Sequence, residues 1–122
     1  MQALTIVIYQ SESRVAQALA GVLSQHFSAV YVADSFREVH AAVPRFRADV
    51  AILDIEGANV SEIERLHREY PGLSIVCTHR VADEEMWATV LNAGASDMCP
   101  TCDTQGIVLA AVRQRSSTHA AA

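Results

Sequence analysis

Asp49-Val50-Ala51-Ile52-Leu53-Asp54-Ile55-Glu56-Gly57 is the stretch whose reading decides the fold. A short apolar run ends abruptly in a carboxylate, with a glycine three residues further on. Such a run, bounded by turn signals, reads as a strand buried on both faces. Asp54 at its end is not core filler, because burying an unpaired carboxylate costs too much. It belongs at the carboxyl edge of a parallel sheet, where open α/β folds place their ligand crevice.

Upstream of that strand, Leu4 to Tyr9 is apolar and β-branched, which predicts a buried first strand. Gln10-Ser11-Glu12-Ser13 breaks it and offers serine caps for a first helix. Val15, Ala18, Leu19, Val22 and Leu23 recur at helical spacing, so that helix is expected to end near Phe27. Ala29 to Ala33 reads as the second strand. Ser35-Phe36-Arg37-Glu38 has capping-box spacing and opens a second helix through Val39 and Val43, with Pro44 expected to end it.

Downstream, Ser61-Glu62-Ile63-Glu64 reads as another serine-capped start, with Ile63 and Leu66 on the buried stripe. Pro71-Gly72 is a turn, and Leu73 to Cys77 is a fourth strand ending in Thr78. Ala82 to Ala93 reads as a fourth helix with an acidic first turn, closed by Gly94. A brief fifth strand spans Asp97 to Cys99, and Asp103 caps a last helix through Ile107, Leu109, Ala110 and Val112. Five strands alternating with five helices at this spacing predict a three-layer α/β sandwich built by right-handed crossovers. Residues 1–115 make one domain on this reading, and residues 116–122 a tail or the start of a linker.

Composition narrows the function. With 51% hydrophobic and 19% charged residues the chain reads as folded rather than disordered. Fourteen acidic residues against nine basic ones, net −5, argue against a nucleic-acid-binding surface. All nine basic residues are arginines. No apolar run has the length of a membrane span, and Met1-Gln2-Ala3 leads straight into a strand, so the cytoplasm is the expected location, with no membrane partner. Three cysteines, an odd number, are expected to stay thiols in a reducing compartment.

From about Leu4 to Arg113 the chain resembles the receiver domain of bacterial response regulators. The residues carrying the resemblance are the strand-end Asp54, the strand-end Thr78, Ala93-Gly94-Ala95-Ser96-Asp97, and the helix-one pattern Ala18-Leu19-Ala20-Gly21-Val22-Leu23. It implies a flavodoxin-type, CheY-like five-stranded parallel sheet, order 2-1-3-4-5. It also implies that Asp54 is the phospho-acceptor and Thr78 the switch hydroxyl. Phosphoryl transfer of this kind needs a carboxylate nucleophile, a divalent metal and a cation on the phosphoryl oxygens.

The departures from that family pattern all fall on this chemistry. The acidic pair that holds the family's metal falls on Gln10 and Ser11, and only Glu12, one residue on, is a carboxylate. A Mg²⁺ site of Asp54 and Glu12 is therefore weakened, since Mg²⁺ is usually held through one or two carboxylates. The family's lysine falls on Thr101, with Cys102 where a proline usually follows. His79 replaces a small residue beside Thr78, and Met98 replaces the strand-five aromatic. Glu56-Gly57-Ala58-Asn59-Val60-Ser61 lacks the family's Met-Pro and Asp-Gly. Losing the metal carboxylates and the cation removes charge stabilisation of about several kcal/mol. The resulting reading is an atypical, pseudo-receiver signalling domain and not an enzyme. It would act through protein contacts with a histidine kinase, an effector domain or an output protein, with weak or no phosphorylation. The competing role for Asp54 is a carboxylate kept to accept hydrogen bonds from loop amides.

Other constellations are weaker. Cys99-Pro100-Thr101-Cys102 is a Cys-x-x-Cys, and Cys77 ends the neighbouring strand, so three thiols and His79 could converge near Asp54. That offers an alternative function, a thiol-based redox sensor or a Zn²⁺-type metal sensor. Its bland counterpart is small buried thiols packing at a strand end. His26, His40 and His67 sit on separate helices at no ligand spacing, and His119 is in the tail. Met86, Trp87 and Val90 lie on helix four, whose face with strand five and helix five is the family's dimer and partner surface. An exposed Trp87 would mark such an interface, with Arg113 and Arg115 placed to pair across it.

Overall fold

Each buried strand feeds a helix that packs back on the sheet. In the computed structural model these are β1 (Gln2–Tyr9), α1 (Ser13–Leu23), β2 (Phe27–Ala33), α2 (Phe36–Phe46), β3 (Val50–Asp54), α3 (Val60–Glu69), β4 (Ser74–His79), α4 (Glu84–Ala93), β5 (Asp97–Pro100) and α5 (Thr104–Ala121). The structure describes residues 2–56 and 59–121, with side chains from 3 onward and up to 113. The five strands form one parallel sheet in the order β2-β1-β3-β4-β5, as the resemblance implied.

The central strand shows why the sheet is organised around it. All five β3 residues are buried, and their alternation divides them between two cores. Ala51 and Leu53 face Val39, Val43, Ile63, Leu66 and Val90 of α2, α3 and α4. Val50 and Ile52 face Leu19, Leu23, Ile107 and Ala110 of α1 and α5. Fully burying side chains such as Ile52 and Leu53 contributes about 1.5–3 kcal/mol each. Two cores on one sheet hold the carboxyl edge of β3 rigid, and Asp54 stands at that edge.

Several boundaries differ from the sequence expectation, each for a local reason. Helix α1 ends at Leu23, not near Phe27, because Phe27 is fully buried and starts β2. No serine side chain caps α1. Glu12 occupies the cap position without a side-chain bond, and Ser11 is turned toward Asp54 instead. Pro44 lies inside α2, in its last turn, where only one amide donor is forfeited. That helix stops at Arg47, in the left-handed region at φ 53°. Asn59, not Ser61, caps α3, its side chain accepting from the Glu62 amide at 3.1 Å. The capping-box serine of α2 is in place, accepting from the Glu38 amide at 3.1 Å.

Gly94 closes α4 at φ 115°, and an added Cβ there would lie 2.5 Å from the His67 ring. Helix α5 runs on to Ala121, so the backbone of 116–121 continues it, while the side chains of Arg115 and His119 lie outside the described residues. Among the described residues no helix is long and apolar enough to cross a membrane.

Candidate functional site

The loops that follow β1, β3, β4 and β5 meet at the carboxyl edge of the sheet. They enclose a cavity of about 50 Å³ lined by Gln10, Ser11, Glu12, Val15, Asp54, Glu56, Arg80 and Thr101. Asp54 is 3% exposed, and its carboxylate is held by three donors. Ser11 donates to Oδ2 twice, from its amide at 2.9 Å and its hydroxyl at 2.6 Å. The Glu56 amide donates to Oδ1 at 2.8 Å. Charge-assisted bonds of this length are the strong class, so protein dipoles stabilise the carboxylate directly.

Gln10 and Thr78 form the second buried pair. Thr78 sits directly across the sheet from Asp54, and Gln10 Nε2 donates to its hydroxyl at 3.0 Å. Gln10 Oε1 and Thr101 Oγ1 are buried without a hydrogen-bond partner. Two oxygen acceptors therefore border the cavity unsatisfied.

Above them lies a residue the sequence reading missed. Arg80 Nε donates to Glu56 Oε1 at 2.8 Å, and the guanidinium borders the cavity. Its proton is held more tightly than usual, first by the hydrogen bond to Glu56, then by that carboxylate's charge, and further by Glu12 and Asp54. A signal for it existed: Arg80 is the one Lys or Arg in any loop at the carboxyl edge of the five strands. Beside it, His79 Nδ1 accepts from the Val81 amide at 2.9 Å, which leaves Nε2 toward Glu56 Oε1 at 4.0 Å.

The structure thus gathers Asp54, Gln10, Ser11, Glu12, Glu56 and Thr101 in one place, with Thr78 and His79 adjoining. Met98 does not join them. Register pairs it with Cys77 on the face turned to α2–α4, where it is buried in that core.

Nor do the thiols converge. Cys77 faces the α2–α4 core and Cys99 the α1–α5 core, because Cys99 pairs with Thr78 and strand residues alternate. Cys102 is exposed on the loop. Burial pushes the Cys77 thiol up to about 12, with Cys99 adding to it, and burial followed by Asp97 pushes Cys99 up to about 11. Both are protonated and inert at neutral pH. His26 and His67 are exposed, and His40 lies 3.4 Å from Glu69, so none of the three joins the site.

The residues present do not fit the Mg²⁺ that the resemblance implies. An amide and a hydroxyl replace the acidic pair, and both Asp54 oxygens accept hydrogen bonds from the protein. Among the described residues no group of three or more His, Cys, Asp or Glu side chains is placed to hold a metal.

On α4, Trp87 is 47% exposed, and Leu91 one turn on is exposed on the same face. Val90 is buried, and Met86 packs at the edge of the core.

Comparison with known proteins gives the fold a context. No family model matches the sequence, and no curated protein is similar to it at a significant level. Solved structures are similar throughout. NtrX from Brucella abortus, in complex with ADP, superposes with TM-score 0.87 at 19% identity, over 97% of this chain and 27% of its own. The chain thus spans about a quarter of that protein's length. A CheY-like receiver domain protein from Methanospirillum hungatei JF-1 matches with TM-score 0.86 at 17% identity, over 99% of this chain and all of its own. The receiver domain of Francisella response regulator 1452 matches with TM-score 0.83 at 12% identity, over 94% and 98%. The fold is that of response-regulator receiver domains.

Proposed function

We propose that this receiver-folded domain is a two-component signalling module of atypical type, which works by protein contact and takes up little or no phosphoryl group on Asp54. The observation that carries this reading is the pair of bonds from Ser11 to Asp54 Oδ2. They place a serine where the family has a metal-binding carboxylate, and they occupy the oxygen a metal would share. Two further features support it. Thr101 stands where the family's lysine would, and Gln10 engages the Thr78 hydroxyl that would otherwise answer a phosphoryl group.

Such a module is not an enzyme. It acts in the cytoplasm on a histidine kinase, an effector domain or an output protein. The outward pair Trp87 and Leu91 supports α4, together with β5 and α5, as the surface for a partner or a second copy. The thiol-sensor alternative has less support, because two of its three cysteines are buried on opposite faces of the sheet.

The test is intact-mass measurement after incubation with acetyl phosphate and Mg²⁺, with Asp54→Ala alongside. We expect no phosphoryl adduct on either chain. A stoichiometric adduct on the wild type alone would overturn the reading.

A further inference from the structure

The sheet has two edges, and only one of them is blunted. β5 is four residues long, starts at Asp97 and ends at Pro100. A short strand carrying a charge and a proline is how proteins keep an edge from pairing. β2, at the other edge, spans seven residues, Phe27-Ser28-Ala29-Val30-Tyr31-Val32-Ala33, without a charge, a proline or a glycine. Its pairing with β1 is regular from Ala29 to Ala33. The aromatic and β-branched side chains favour further pairing, and the backbone groups turned away from β1 form an open row of donors and acceptors.

Beside that edge, β2 and α2 border an open cavity of about 280 Å³. Tyr31, 37% exposed, stacks on Phe46 with ring centroids 3.8 Å apart, and the two rings form part of its wall. Along α2 the cavity is bordered by Glu38, Ala41, Ala42 and Arg45. Glu38, Ala41 and Arg45 are exposed there. One charge of each sign therefore stands at either end, about two helical turns apart, with small residues between. Among the described residues neither Glu38 nor Arg45 has an ion-pair partner in its own chain.

We propose that β2 is a dimer edge, at which two copies of this chain pair β2 antiparallel to β2 about a two-fold axis and join their sheets into one. The charge pattern of α2 selects a second copy as the occupant. A two-fold axis perpendicular to the sheet lays α2 antiparallel to the same helix of the other copy, on one face. Glu38 then faces the partner's Arg45, and Arg45 the partner's Glu38, across the alanines. A patch complementary to itself is what an isologous contact requires. An uncharged extended peptide would satisfy the strand but leave both charges unmet. The pairing uses up the open edge, and β5 is blunted, so the assembly closes at two copies and does not grow into a fibre. β2 lies at the opposite edge of the sheet from β5, so this contact is separate from the α4–β5–α5 surface and independent of how Asp54 is used.

The experiment is sedimentation equilibrium of the full chain over a dilution series, as wild type, Arg45→Glu, Glu38→Arg/Arg45→Glu, Tyr31→Lys and Trp87→Ser. Wild type should dimerise. Arg45→Glu sets like charges opposite each other at both ends of the contact and should weaken the dimer by roughly tenfold or more. The double variant reverses both charges and should restore it, a rescue that a merely destabilised fold would not give. Tyr31→Lys puts a charge on the edge and should dissociate the dimer, whereas Trp87→Ser should leave it at wild-type strength. Hydrogen exchange reads the same contact without a substitution: β2 amides of the wild type should gain protection as concentration rises. A wild type that stays monomeric would overturn the proposal. So would a dimer that survives Arg45→Glu, a double variant no stronger than the single, or β2 exchange independent of concentration. A dimer lost in Trp87→Ser would overturn it too, by placing the contact on α4.

Discussion

Ser11 gives both of its donors to one oxygen of Asp54, the amide at 2.9 Å and the hydroxyl at 2.6 Å. A carboxylate at the end of a buried strand must find such partners, and here the protein supplies them from the loop after β1. Ser11→Ala removes the hydroxyl alone. We expect a loss of about 1 kcal/mol, since Ser11 is exposed and water can replace part of the bond. Asp54→Ala should cost about 2–3 kcal/mol, because it strands the Ser11 and Glu56 amides without an acceptor. Urea denaturation of the three chains checks the order, and Ser11→Ala as costly as Asp54→Ala would contradict it.

The same geometry indicates how a phosphorylatable pocket would be rebuilt. Gln10→Asp with Ser11→Asp restores the acidic pair and also releases the Thr78 hydroxyl from Gln10. Adding Thr101→Lys puts a cation back after β5, at the edge of the cavity. We expect this triple variant to gain an acyl phosphate on Asp54 from acetyl phosphate and Mg²⁺, visible by intact mass and absent when Asp54→Ala is added. A folded triple variant with no adduct would mean that Arg80 or His79 blocks the site independently of its missing ligands.

Much of this was legible in the sequence, and the reasons are local. Val50 to Asp54 announces itself as a buried strand ending in a carboxylate, and Gly94 announces a helix end, because each is decided by its own few residues. What failed depended on distant contacts. Helical spacing carries α1 on to near Phe27, because it says nothing of the buried strand that recruits that residue. Ser11 stands among the serines that offer a cap as well as at a pocket position, and it is Asp54, 43 residues away in sequence, that claims its hydroxyl. Cys77 and Cys99 lie on neighbouring strands, yet whether they share a face depends on how β4 and β5 are paired. Arg80 is a different case: only its bond to Glu56, 24 residues away in sequence, places it at the cavity.

Gly94 gives a sharp packing expectation. Its φ of 115° is one that residues with a Cβ rarely adopt, and the Cβ of an alanine would lie 2.5 Å from the His67 ring. The backbone penalty alone is about 1–2 kcal/mol. With the steric contact, Gly94→Ala should lose ~2 kcal/mol or more. Pairing it with His67→Ala should recover only part of the steric cost, since the His67 Cβ, 2.8 Å from the added Cβ, remains, and it leaves the backbone part untouched. Thermal denaturation of the single and double variants checks this, and a neutral Gly94→Ala would contradict the assigned helix end.

The thiols give the pH dependence. Cys77 and Cys99 ionise at about 12 and 11 in the folded chain, against an ordinary value of 9.0. Folding therefore holds protons that the unfolded chain releases above pH 9. The stabilisation is complete below that value and declines as pH rises toward 11 and 12. Each pH unit above 9 should cost about 1 kcal/mol through Cys77, with a smaller share from Cys99. Tyr9 acts in the same direction at still higher pH, its phenol pushed up first by burial and then by Asp54 and Glu62. Urea titrations at pH 7, 9 and 10 should show stability level up to 9 and then falling, with a shallower fall in Cys77→Ala. In the native state at pH 8 iodoacetamide should label Cys102 alone, and urea should be needed to expose the other two. Rapid native labelling of Cys77 or Cys99 would mean that the thiols are reachable, and would return the redox-sensor reading to contention.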